Sequence, residues 1–192
     1  MLFRSASTYD DSRAKVDREN AFLWRYAPRR LEAEPIRDAL LAAGGRLDRS
    51  MFGPGTLDAN MTRRSIYFFI KRSQLIPTMM LLDWPEHLVS IGRRGTTTTA
   101  PQALLFMNSP LGRSCAEGLA GRLRGVASDA VNDGYRISFG RAPTVDETRL
   151  ANEFLASQSA VHRRAGDADP DRAARIDFCQ AIMSMSEFIY VP

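Results

Sequence analysis

The stretch TAPQALLFMNSPLGRSCAEGLAGRL, residues 99–123, decides the fold. It opens on Thr99, a hydroxyl residue able to cap a helix. Pro101 suits the first turn, where a missing N–H costs nothing. Leu104, Leu105 and Met107 follow, and Asn108 and Pro110 end the segment. A second rod then carries Leu111, Cys115, Leu119 and Leu123, four residues apart each time, as one apolar stripe. Arg113 and Glu117 add an i,i+4 charge pair.

The same grammar runs outward in both directions. Downstream, Val131, Tyr135 and Phe139 make a stripe over Asp129 to Phe139, and Gly140 can close it. Thr144-Val145-Asp146-Glu147 matches a capping box, and the helix behind it is expected to bury Leu150, Phe154 and Leu155. Gly166 to Pro170 is a loop ending in a cap and a first-turn proline. The last helix should run to about Ser186, with Phe178, Ala181, Ile182 and Met185 on one face. Upstream, Leu31, Ile36, Ala39, Leu40 and Ala43 predict a helix over 30–43. Pro35 moves its true start towards Glu34, and Gly44-Gly45 stops it. Pro77 opens a short helix through Leu82. Only Ser65-Ile66-Tyr67-Phe68-Phe69-Ile70 reads as a strand, with Ser90-Ile91 or Thr96 to Thr99 as candidate partners. The expected fold is mainly α: a compact bundle of about six helices with a small β element near 65–70, one domain over residues 1–192.

Composition narrows the function classes. At 192 residues, 44% apolar and 25% charged, the chain can build a real core. The net charge of +4 comes almost wholly from arginine, since Lys15 and Lys71 are the only lysines. The arginines are scattered among carboxylates, whereas a nucleic-acid binder concentrates its charge on one face. No apolar run approaches the ~20 residues of a membrane span, and no segment reads as an export signal. Cys115, Cys179, His87 and His162 are too few and too dispersed for a zinc set, so no metal is expected. Without a Cys-x-x-Cys-His motif no covalent haem is expected on this chain. Cys115 and Cys179 lie on apolar helical faces, which suits buried free thiols. A disulfide between them in an oxidising compartment stays open.

Two groups of polar residues are candidates for a site. Arg93, Arg94, Gln102 and Asn108 could line a pocket that takes an anionic or carbohydrate group through guanidinium forks and amides. Their weightier reading is the satisfaction of helix ends and buried carbonyls. Asp83, Glu86 and His87 surround Trp84, either as an acid–base group beside a sugar-stacking ring or as a capped helix end. His162, beside Arg163-Arg164, reads as a solvated residue near a helix C-terminus.

Five spaced motifs resemble one family. They are Arg29-Arg30-Leu31-Glu32-Ala33-Glu34 with Ile36 to Leu41 and Gly45; Arg63-Arg64-Ser65-Ile66-Tyr67; Gly92-Arg93-Arg94 with Thr97, Pro101 to Leu104 and Met107-Asn108; Gly140 to Thr144 with Glu147; and Phe178 to Ile182 with Ser186 to Val191. In this order they resemble the planctomycete cytochrome-associated domain of unknown function, the PSD-one domain. The resemblance implies that the chain is the C-terminal portion of a larger family domain in exported bacterial proteins. Haem would then belong to upstream modules and not to this chain. It also implies upstream domains as partners and a periplasmic or extracellular setting, and it brings no established activity. Ile91 stands where similar proteins often have Cys, and Pro35 interrupts a helix they keep continuous. The readings that follow are a non-catalytic interaction or structural domain and, as alternative, an enzyme domain acting on extracellular polysaccharide. Nucleic-acid binding ranks last.

Overall fold

The computed structural model describes residues 8–71, 73–85, 92, 94–97, 99–125 and 127–191. Among them the chain forms nine α-helices and a two-stranded antiparallel sheet, so it is mainly α with a small β element. Helix α1 spans Asp11–Val16, strand β1 Arg29–Arg30, α2 Ala33–Ala43 and α3 Pro77–Leu81. After them come α4 (Ala100–Asn108), α5 (Pro110–Ala120), α6 (Ala127–Phe139), α7 (Val145–Ala165), α8 (Pro170–Met183), α9 (Ser186–Ile189) and strand β2 (Tyr190–Val191).

The punctuation in the sequence sets these boundaries. Ser109 and Asp169 each accept a backbone N–H at the start of a helix whose first residue is proline. Thr144 and Glu147 close their capping box reciprocally, at 3.2 and 2.7 Å. Pro35 falls in the first turn of α2, where its missing N–H is tolerated. Gly45 and Gly166 take positive φ at helix ends.

Helices α5, α7 and α8 form the centre. Cys115, Ala116 and Leu119 of α5 meet Phe178, Cys179, Ile182 and Met183 of α8, all buried. Cys115 and Cys179 are free thiols, and burial pushes Cys179 up to about 12. Helix α2 packs on the other side of α5 through bare backbone. A Cβ on Gly118 would collide with the carbonyl oxygen of Gly44, and a Cβ on Gly44 would lie 2.9 Å from the Cys115 Cα.

Four expectations are corrected. Ser65–Ile70 is not a strand: Ser65–Tyr67 is a 3-10 turn, and the sheet pairs Arg29 with Val191 and Arg30 with Tyr190. Burial there has period three and not two, with Ser65 and Phe68 inward and Ile66, Phe69 and Ile70 outward. Asp38 of α2 takes the Ser65 N–H and hydroxyl, each at 2.7 Å, removing a donor a ladder would use. Thr96 and Thr97 do not pair in the sheet, and Ser90-Ile91 lies outside the described residues. Leu150 is exposed, because the inward stripe of α7 is Ala151 and Leu155. Arg113 reaches across to Asp177 and Gln180 of α8 instead of pairing along its own helix.

The glycine contact yields a stability test. Gly→Ala in an open helix gains up to about 1 kcal/mol, but overpacking costs about 1–3 kcal/mol. Gly118→Ala should therefore lower stability by roughly 2 kcal/mol in urea unfolding. Gly121→Ala, whose new methyl meets nothing closer than 3.5 Å, should be neutral or slightly stabilising. Equal midpoints for the two variants would remove the close approach from the account.

Candidate functional site

Three of the candidate residues, Asp83, Arg94 and Gln102, come together where β1 leads into α2, against the turn after α3 and the start of α4. The Arg30 side chain is buried there. Its guanidinium donates to Gln102 Oε1 at 2.8 Å, to the Leu82 carbonyl at 3.3 Å and to the Asp83 carboxylate. Asp83, held at φ 66°, also accepts the Thr97 N–H and hydroxyl, each at 2.7 Å. Gln102 completes the ring: its amide N–H groups reach Thr97 Oγ1 at 3.0 Å and Asp83 at 3.2 Å, while its Oε1 takes the Thr99 N–H at 3.2 Å. Burial opposes ionisation of Asp83, but Thr97, Arg30 and Gln102 together outweigh it and hold the carboxyl below its usual range.

Arg94 forms a second knot beside the first. Its guanidinium donates to Glu32 at 2.8 Å and to both oxygens of Glu34, and the Trp84 indole N–H donates to Glu34 at 2.9 Å. A cleft of about 720 Å³ is lined by Arg29 to Glu32, Pro35 and Arg94 to Thr96, and so includes Arg30 of the first knot and Arg94 of the second.

Arg94, Gln102 and Asp83 thus share one corner of the fold. Asn108 is exposed at the far end of α4 and does not join them. Arg93, Glu86 and His87 lie outside the described residues. Sequence reasoning missed Arg30, Thr97, Glu32 and Glu34. Arg30 sits in one of several Arg-Arg pairs, and nothing local marks it as the buried member.

A second cluster joins α7, α8 and α5. His162 Nε2 lies 2.6 Å from Asp177, and Nδ1 contacts Asp167. Arg113 donates to Asp177 at 2.6 Å and to Gln180 at 3.0 Å, and Gln180 donates to the Met107 carbonyl at 2.6 Å. His162 is therefore a partnered residue and not a free solvated one. Its bonds to Asp177, then Asp167, raise its pKa above 6.5. The carboxylates of Asp177 and Asp167 stand one at each ring nitrogen, so the protonated imidazole has an acceptor for both of its N–H groups. Among the described residues no group of three or more His, Cys, Asp or Glu side chains is placed to hold a metal.

Two outcomes follow. Asp83→Asn keeps a residue that tolerates positive φ but removes the charge facing Arg30, and should cost about 2–3 kcal/mol in chemical denaturation. An unchanged midpoint would mean the knot contributes nothing. For His162 the folded pKa is raised, so its stabilisation is complete below about 6.5, the unfolded value, and fades as pH rises through the folded pKa. The stability gap between the wild type and His162→Gln should close over that range. A gap independent of pH between about 5 and 9 would contradict the pairing.

No curated protein and no solved structure matches the chain. The profile of the family described as "Protein of unknown function (DUF1553)" matches residues 1–155, most of the length; the Phe178 to Val191 motif lies beyond that match. The chain belongs to this family of uncharacterised proteins.

Proposed function

We propose that this chain is a non-catalytic interaction and structural domain of a larger, exported, cytochrome-associated bacterial protein. In this reading its partners are the upstream domains, haem resides on them, and the setting is periplasmic or extracellular. The observation that carries the reading is how the candidate polar residues use their atoms. Arg94 is divided between Glu32 and Glu34. Asp83 serves Arg30, Thr97 and Gln102, and Gln102 spends its amide on the same ring. Such a closed ring leaves little for a substrate and much for holding three chain segments together.

Apolar side chains stand open elsewhere. Phe22 is 86% exposed and Val16 88%, and with Trp24 they line an open hollow of about 410 Å³. The loop around them is built. Asp17 accepts the N–H groups of Ala21 and Phe22 at 2.9 and 2.8 Å, and its carbonyl takes the Trp24 indole N–H at 2.9 Å. Arg25 stacks over Tyr9 and Trp24. A fixed scaffold that displays a phenylalanine suits a docked protein neighbour.

The alternative, an enzyme domain acting on extracellular polysaccharide, would use the cleft between Arg29 and Thr96. Co-purification with the upstream half of the full-length protein separates the two. Binding at micromolar concentration, weakened about tenfold or more by Phe22→Ser, is the expected result. No association at that concentration counts against the proposal. Release of reducing ends from a polysaccharide by the purified chain, lost in Asp83→Asn under conditions where that variant is folded, would replace it with the enzyme reading.

A further inference from the structure

The loop that precedes the 3-10 turn holds a feature the interaction reading does not use. Phe52 is 79% exposed yet sits at φ 67°, a conformation that large side chains avoid. Its backbone is pinned on both sides. The Phe52 N–H donates to the Tyr67 hydroxyl at 2.7 Å, and its carbonyl accepts from the Arg63 guanidinium. The same guanidinium also donates to the Pro54 and Ser50 carbonyls, at 3.3 and 3.5 Å, and lies over the Tyr67 ring, 3.6 Å from its centre. Thr56 exchanges hydrogen bonds with Tyr67 and Phe69, so the loop is stitched to the segment beside it. The fold thus holds a strained backbone in place while the phenyl ring points into solvent. Strain kept in place by its surroundings is a pointer to use.

Phe52 is not alone. Met51 precedes it, and Ile66, Phe69 and Ile70 stand out from the neighbouring segment, each more than half exposed. Cations share these two segments: Arg49, Arg64 and Lys71 are exposed, with Arg64 3.7 Å from the Asp38 carboxylate and still half open to solvent. Between residues 46 and 71 five basic side chains face two acidic ones, Asp48 and Asp58. Asp48 is turned onto Ser50, and Asp58 accepts the Asn60 N–H.

We propose that this tip is a peripheral membrane contact: Met51, Phe52, Ile66, Phe69 and Ile70 enter the interface of an anionic bilayer, and Arg49, Arg64 and Lys71 lie on its phosphates. Two features favour lipid over a protein groove. The apolar side chains project from the surface, and the surrounding charge has one dominant sign. Apolar side chains that insert, with basic ones at the headgroups, are the chemistry of interfacial attachment. No helix of the described residues is long and apolar enough to cross a membrane, so contact would be from one side. The inference is independent of the proposed docking through Phe22, which lies on another segment.

The test is flotation of the purified chain with vesicles of roughly three parts phosphatidylcholine to one part phosphatidylglycerol, beside pure phosphatidylcholine. Binding to the anionic vesicles that weakens steeply with salt is expected. Phe52→Asn with Phe69→Ser should reduce it at least tenfold. Asparagine accepts positive φ and both positions are exposed, so circular dichroism should find the variant folded. Lys71→Glu should lower binding by about fivefold or more, the weight of one surface cation. Equal flotation of wild type and the apolar variant would overturn the proposal, as would binding that ignores lipid charge, or none. A dimer in sedimentation equilibrium that dissociates on Phe52→Asn would overturn it too, assigning the tip to a second copy of the chain.

Discussion

Carbonyl groups in long irregular segments need donors, and in this protein arginine side chains supply them. The stretch between α2 and α3 runs for more than thirty residues, and among those described it forms only a 3-10 turn and isolated bridges. Its backbone has no ladder to join, yet a buried unpaired carbonyl is costly. Arg37 of α2, fully buried, donates to the Met61 and Arg63 carbonyls and to the Ser65 hydroxyl. Arg63 gathers three carbonyls of the loop before it, those of Ser50, Phe52 and Pro54. Arg30 takes the Leu82 carbonyl, Arg122 the last carbonyls of α2 at 2.8 and 2.5 Å, and Arg175 that of Gly125 at 2.7 Å. These forks do the work that a sheet does in other small domains.

This role accounts for the composition. Only two of the 26 basic residues are lysine. A guanidinium presents five donors in a plane and can bind several carbonyls at once while stacking on a ring, as Arg37 does on Phe68 at 4.8 Å. An ammonium would need to shed a tighter hydration shell for fewer bonds. Burial pulls the Arg37 pKa down, opposed by Asp38 at 4.0 Å, but from so high a starting value that the charge survives. The positive balance is therefore largely structural. Much of it marks where loops are tied down.

That logic decides what could be read from the sequence. Helix starts and stops were legible because each depends on a neighbour within four residues: Ser109 on Gly112, Thr144 on Glu147, Asp169 on Arg172. The 65–70 segment misled because its β-rich composition was overruled from a distance by Asp38 and Arg37. The corner holding Arg94, Gln102 and Asp83 was half legible. Thr97, Thr99 and Gln102 are close in sequence, so their ring could be suspected. Arg30 and Glu34 come from more than fifty residues away, and no local pattern distinguishes them from other surface charges.

A chain bound together by arginines also changes which features point to function. Clusters of Arg, Asp and Gln are the ordinary material of this fold, so finding one says little about chemistry. The informative departures are apolar. Phe22 and Phe52 are exposed while their backbones are fixed by hydrogen bonds to Asp17, Tyr67 and Arg63. Exposed aromatic rings on loops tied down by hydrogen bonds are what both proposals build on, and the closed hydrogen-bond ring beside α4 is why neither is built there.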